Sequence, residues 1–297
     1  MATISKDLIL EFVSVLNQMR ESQDIYDITL SVQEREVRGN RLLLSVISMT
    51  LREIFESHRD QSYFSFKNID ADALEMIIEC SFKFSFQPLR ITELNLENVL
   101  RTGINLGCRG ILEEACRYIE KNTKLSNCMK YQRILWQFIN DESCLTPADS
   151  SLLGIVLKYV TFFISKNFAA VSVTDCFKVA NAPEVVSIIA IDDLNVKSED
   201  VVLAAVRGWY KADPENHHLQ YLQLLKHIRW PLLTKTCLED ASNDEAIWNC
   251  PDVQELIRKS FQYQLRDADN RGSINFGANF YLTPRRGMLH HHGHSHR

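Results

Sequence analysis

The chain has 297 residues, 45% of them hydrophobic and 24% charged, and a formal net charge of −5. That length accommodates two domains of roughly 100–200 residues with cores of their own. The acidic balance argues against a generic nucleic-acid binder, which carries a basic patch or stripe, and no apolar run approaches the roughly 18 residues of a membrane span.

In chain order, residues 4–20 are expected to form a helix with Leu8, Phe12, Val15, Leu16 and Met19 on one stripe and Lys6, Glu11 and Arg20 off it. Near-alternating apolar and β-branched residues predict a strand over Asp24 to Val32, with Glu36 to Arg38 as its hairpin partner. Short helices follow over Arg41 to Ile47 and Thr50 to Glu56, then a strand over Tyr63 to Lys67. Three more helices are expected over Ala71 to Phe84, Leu96 to Leu106 and Ile111 to Asn122. A few short strands among helices define an α+β domain.

From Asn127 onward the pattern is all-α, so the chain as a whole is mostly helical. Leu153, Val156, Leu157, Val160 and Ile164 make one apolar face. In the stretch Leu194 to Leu233, Ser198 stands at an N-cap position, followed by Glu199 and Asp200, which suit a first turn. Val202, Ala205, Val206 and Trp209 share one face, and Asp213-Pro214 ends that helix. A second helix with Tyr221, Leu224, Leu225 and Ile228 inward is expected to run until Pro231 stops it. Trp209 and Trp230 read as core residues.

The order Leu-x-Val-x-Ser-Glu-Asp from Leu194, an apolar face with Trp209, then Leu-Leu-x-x-Ile-Arg-x-x-Leu-Leu from Leu224 resembles the BACK domain, which follows a BTB (POZ) domain in kelch-like proteins. The earlier region resembles BTB. Tyr26-Asp27-Ile28-Thr29-Leu30, Gly39-Asn40-Arg41-Leu42-Leu43-Leu44-Ser45, Leu51-Arg52-Glu53-Ile54-Phe55, and Gly107-Cys108 with Cys116-Arg117-Tyr118-Ile119 carry that likeness. It departs from the family pattern at Asn40, where a His is usual, and at Phe84-Ser85-Phe86-Gln87. The short loop after Phe55 shows no hydrophobic-x-Glu element of the kind that cullin-binding members carry.

The resemblance implies a divergent BTB/POZ-like domain over 1–122, linking helices over 123–146, a BACK-like helical domain over 147–266 and a disordered or truncated tail over 267–297. It implies a non-enzymatic scaffold that homodimerises, or pairs with other BTB proteins, through Leu8, Phe12, Val15, Leu16 and Met19. It also implies a contact with cullin-3, hence with a ubiquitin ligase, through Ser48, Met49, Arg52, Phe55, Tyr131 and Leu135. The alternative is a dimerisation or regulatory module without ligase recruitment. No kelch repeat of roughly 50 residues follows Arg266.

No motif for a phosphate loop, a zinc protease or a nucleophile elbow occurs. Neither catalytic residues nor a cofactor nor a metal site is expected, and neither nucleic acid nor membrane is expected as a partner. The histidines between His290 and His296 are read as a tail with incidental metal affinity. His58, His217, His218 and His227 are placed in loops or at helix ends, none paired with a cysteine. The eight cysteines include no C-x-x-C pair and fit reduced thiols in the cytoplasm, with the nucleus as alternative.

Overall fold

The computed structural model describes residues 6–83, 89–141, 145–248, 250–266, 271, 274, 276, 282–285 and 288. Contacts divide the chain into two compact units, Met1–Asn122 with Ile134–Leu157, and Thr123–Arg133 with Lys158–Arg297. The described elements of the first segment are α1 (Lys6–Glu21), β1 (Ile28–Val32), β2 (Arg35–Gly39), α2 (Arg41–Ile47), α3 (Met49–Ser57), β3 (Tyr63–Phe66), α4 (Ala71–Lys83), α5 (Leu96–Asn105) and α6 (Arg109–Asn122). The rest is helical: α7 (Cys128–Asn140), α8 (Pro147–Lys166), α9 (Phe168–Val171), α10 (Asp175–Lys178), α11 (Ala182–Ile189), α12 (Glu199–Ala212), α13 (Pro214–Leu225), a 3₁₀ turn at Trp230–Leu232, α14 (Lys235–Ser242), α15 (Glu245–Trp248) and α16 (Pro251–Leu265).

In the first unit β1 is the middle strand, antiparallel to β2 and parallel to β3. Leu30 stands opposite Val37 on one side and Phe64 on the other. Ile28, Leu30 and Val32 all turn inward, as the period of two requires. Leu74, Ile77, Ile78 and Phe82 of α4 close over the sheet's core cluster. The hairpin turn is Gln33–Glu34, both at positive φ, 52° and 67°. Asn-Gly or Asp-Gly usually fills such a turn, so this sequence gives no turn signal there.

The strand predicted from Asp24 begins only at Ile28. Asp27 instead accepts the backbone N–H of Arg41 at 2.7 Å, and Tyr26 meets Phe82 edge-on with centroids 5.8 Å apart. The Asp27 backbone N–H still reaches the Gly39 carbonyl at 3.1 Å, but regular pairing starts at Ile28. Gly107 has φ +60°, and a Cβ there would stand 2.9 Å from Thr50 Oγ1. Only glycine fits that approach.

In the second unit α12 buries Val202, Ala205, Val206 and Trp209 on one face, and Trp209 donates its indole N–H to the Ala180 carbonyl at 2.7 Å. Asn181 and Glu184 close a capping box at the start of α11. Asp213 caps α13 through the Asn216 N–H at 3.4 Å. Two local expectations are corrected. The helix after Pro214 stops at Leu225, six residues before Pro231, and Ile228 is buried from the loop. Ser198 occupies the N-cap position of α12, but its hydroxyl makes no capping bond. Asp200 instead takes the backbone N–H of Thr234 at 2.9 Å.

The tail reading is corrected at one point. Arg285 is wholly buried in the second unit and forms an ion pair with Glu199, which is also wholly buried, at 2.8 Å. Residues 267–270 and 289–297, including the histidines from His290 on, lie outside the described residues.

Candidate protein-interaction surfaces

α1 is amphipathic, but its apolar residues divide. Leu8, Phe12, Val15 and Met19 are exposed, at 56%, 55%, 47% and 41%, together with Leu10. Leu16 is 8% exposed and belongs to the unit's own core. The expectation that Leu16 is a contact residue of a partner surface is therefore corrected: the stripe has one inward member, which fastens the helix, and an outward row. Leu42, Val46 and Met49 of α2 and α3 form a second exposed apolar row in the same unit. Side chains of this kind gathered on the surface mark an interaction site more often than scattered ones do.

The backbone between these rows is held firmly. Asn40 caps α2 by accepting the Leu43 N–H at 3.0 Å and donates its amide to the Ile25 carbonyl at 2.8 Å. Thus the departure from the usual His still supplies a cap. Arg41 donates to the carbonyls of Phe55 and His58 and lies over the rings of Phe55 and Phe64, 5.1 and 5.8 Å from their centroids.

Ser48 links α2 to α3: its hydroxyl donates to the Leu106 carbonyl and accepts the Leu51 N–H at 3.0 Å. It has no accessible surface. Phe55 is buried against Phe64, with centroids 5.1 Å apart. Tyr131 and Leu135 on α7 are also fully buried. These four residues, expected to face a cullin, are corrected to internal packing. The resemblance placed them on a partner surface, whereas here Ser48 spends its hydroxyl on two backbone groups and the three larger side chains pack inside the fold. Met49 and Arg52 remain outside, the latter with its Nε donating to the Ser45 carbonyl at 2.8 Å.

Two open grooves border this region. One of about 550 Å³ is lined by Asp27, Arg41, Leu42, Val46, Arg52 and Arg59. The other, about 650 Å³, is lined by Val46, Met49, Leu89, Gly107, Arg109 and Ile111. Val46 lines both, so the α2–α3 row forms the ridge between them.

Among the described residues the candidate nucleophiles and bases are not drawn together into one constellation. Burial pushes the thiols of Cys108 and Cys116 up to about 12, and those of Cys128 and Cys237 up to about 11, which suppresses the thiolate a nucleophile needs. His217, near the start of α13 where a loop or helix end was expected, stacks on Trp209 with ring centroids 3.7 Å apart. Burial lowers the pKa of His227. Among the described residues no group of three or more His, Cys, Asp or Glu side chains is placed to hold a metal ion.

Family comparison agrees with this architecture. The model described as "BTB/POZ domain" matches residues 16–123, and the one described as "BACK: BTB And C-terminal Kelch" matches residues 145–243. The chain carries a BTB domain followed by a BACK domain, an α+β unit and then a helical array. It is 25% identical over 254 residues to Kelch-like protein 17 of Mus musculus, and likewise to that of Rattus norvegicus. The match covers 84% of this chain and 37% of each relative, so the chain spans little more than a third of their length. Among solved structures it is similar to the BTB domain of zebrafish PATZ1 (14% identity, 41% of this chain, 99% of that one, TM-score 0.36). It is similar also to the BTB domain of human Gigaxonin (16% identity, 40% of this chain, 96% of that one, TM-score 0.35).

Proposed function

We propose that the chain is a non-enzymatic interaction scaffold, a BTB-BACK adaptor that homodimerises through the outward row of α1 and brings a cullin-3 ubiquitin ligase to its partners. The observation that carries this reading is the exposed row Leu8, Phe12, Val15 and Met19 on a helix fastened by Leu16. An isologous pairing of two copies covers such a row on both at once. Met49 and Arg52 are the residues left to meet a cullin. The seven described cysteines are free thiols, which fits the cytoplasm or nucleus.

A second reading is a dimerisation or regulatory module, which pairs with itself or other BTB proteins and recruits no ligase. The burial of Ser48, Phe55, Tyr131 and Leu135 favours it, because it leaves a small contact for a cullin.

The deciding experiment is the solution mass of the full chain, alone and mixed with the N-terminal domain of cullin-3. A dimer that becomes a two-plus-two complex, and that Met49→Glu with Arg52→Glu returns to a bare dimer, supports the adaptor. A dimer that ignores the cullin at high micromolar concentration removes ligase recruitment and leaves the second reading. A monomer defeats both.

A further inference from the structure

We propose that the BACK unit contains a guanidinium-binding site, which Arg285 occupies from the chain's own C-terminal segment and which reads that segment as a separable peptide ligand. Arg285 has no accessible surface. Its Nε donates to Glu199 Oε2 at 2.8 Å and its Nη2 to Glu199 Oε1 at 2.9 Å, a two-pronged pairing. Its Nη1 donates to the carbonyls of Ile189 and Ile191, at 2.7 and 2.8 Å. Four directed acceptors thus surround one planar fork, a geometry that suits arginine and not lysine.

The receptor side is built by residues within the BACK match, at helix ends and in the loops beside them. Glu199 opens α12 and is itself wholly buried, with the Arg229 N–H bound to its Oε1 at 3.0 Å. Ile189 ends α11, and Ile191 follows it. Arg229 then reaches the segment from the other side: one Nη donates to the Thr283 carbonyl at 2.7 Å and the other pairs with Asp192. The ligand side is short. Its elements are Thr283 through its carbonyl, Pro284, which presets an extended approach, and Arg285. Pro231 and Leu233 in turn give their carbonyls to Gln264 of α16, which ties the chain just after Arg229 to α16 without the segment. A buried carboxylate whose main partner arrives from 86 residues away keeps its demand for a guanidinium when that partner leaves. The site therefore holds a Leu-Thr-Pro-Arg segment whether or not the chain joins the two. This inference stands independently of the adaptor reading.

The test uses the full chain with a specific protease site inserted between Phe276 and Leu282, cut after folding. The fragment from residue 282 onward is expected to co-elute with the folded body on gel filtration. A labelled synthetic peptide of residues 280–288 is expected to exchange into the complex. The same peptide with Arg285→citrulline, equal in shape but uncharged, is expected to compete roughly tenfold or more weakly, the loss of charge-assisted hydrogen bonds. A fragment that leaves a body still folded by circular dichroism overturns the proposal, and so does a citrulline peptide that competes equally.

Discussion

Glu199 and Arg285 are paired at 2.8 Å with neither side chain accessible to solvent, across 86 residues of sequence. Removing one partner strands the other as a buried charge, which costs about 3–5 kcal/mol. Arg285→Ala is therefore expected to lower the urea midpoint sharply. Arg285→Met with Glu199→Leu is expected to recover part of that loss, since it removes the stranded charge but leaves the Arg229 N–H without its carboxylate acceptor. A single variant as stable as the wild type contradicts the burial of the pair.

The two classes of residue on α1 separate by the same logic. Leu8→Glu with Phe12→Glu is expected to reduce the mass seen in sedimentation to that of one chain, with unfolding changed by no more than about 0.5 kcal/mol, as at other exposed sites. Leu16→Ala is expected to cost about 2–5 kcal/mol, because it opens a cavity in the core. Equal destabilisation by both would mean that the outward row packs internally.

The hairpin turn offers a gain. Gln33 and Glu34 hold φ at 52° and 67°, where residues with a Cβ are disfavoured. Gln33→Asn with Glu34→Gly is expected to raise stability by about 1 kcal/mol, measured by thermal unfolding. No gain would indicate a turn of another type.

Alkaline pH is expected to unfold the protein through its buried thiols. The Cys108 and Cys116 thiols rise from 9.0 to about 12 through burial, so the folded state keeps protons that the unfolded state gives up. Stability is then full below pH 9 and falls as pH climbs from 9 towards 12, by on the order of 1 kcal/mol per thiol at pH 10. Cys108→Ala should flatten the slope between pH 8 and 10 whatever it does to stability at pH 7. An unchanged slope would place the thiol near water.

Periodicity carried most of the fold. The faces Leu74–Ile77–Ile78 and Val202–Ala205–Val206–Trp209 are each buried as spacing alone predicts, because burying an apolar stripe is the main gain available to a short helix. Spacing failed where side-chain polar groups set the backbone, as at Asp27 and Asp200. It also failed to distinguish Leu16 from its neighbours, since one stripe can face its own core along one edge and water along the other. Tyr131 and Leu135 were placed outward by resemblance alone, which carries no information on which way a side chain turns here. The role of Arg285 had almost no local signal: a charged residue in a polar tail is ordinarily solvated, and its acceptors lie in α12, at the end of α11 and just beyond it. Pro284 before it was the one hint of a defined conformation.

The three-stranded sheet has a further consequence. Among the described residues only β1 is paired on both sides, so β2 and β3 each present a row of open main-chain groups. β2 is guarded by charge: Arg35, Glu36 and Arg38 all point to solvent, and a strand docking there would have to desolvate them. β3 is short, four residues with Tyr63 and Ser65 outward, and the Gln61 amide already takes its Tyr63 carbonyl. Fibrous self-association under heat would then start from β3, and lengthening that strand would be a more dangerous change to this protein than many substitutions in its core.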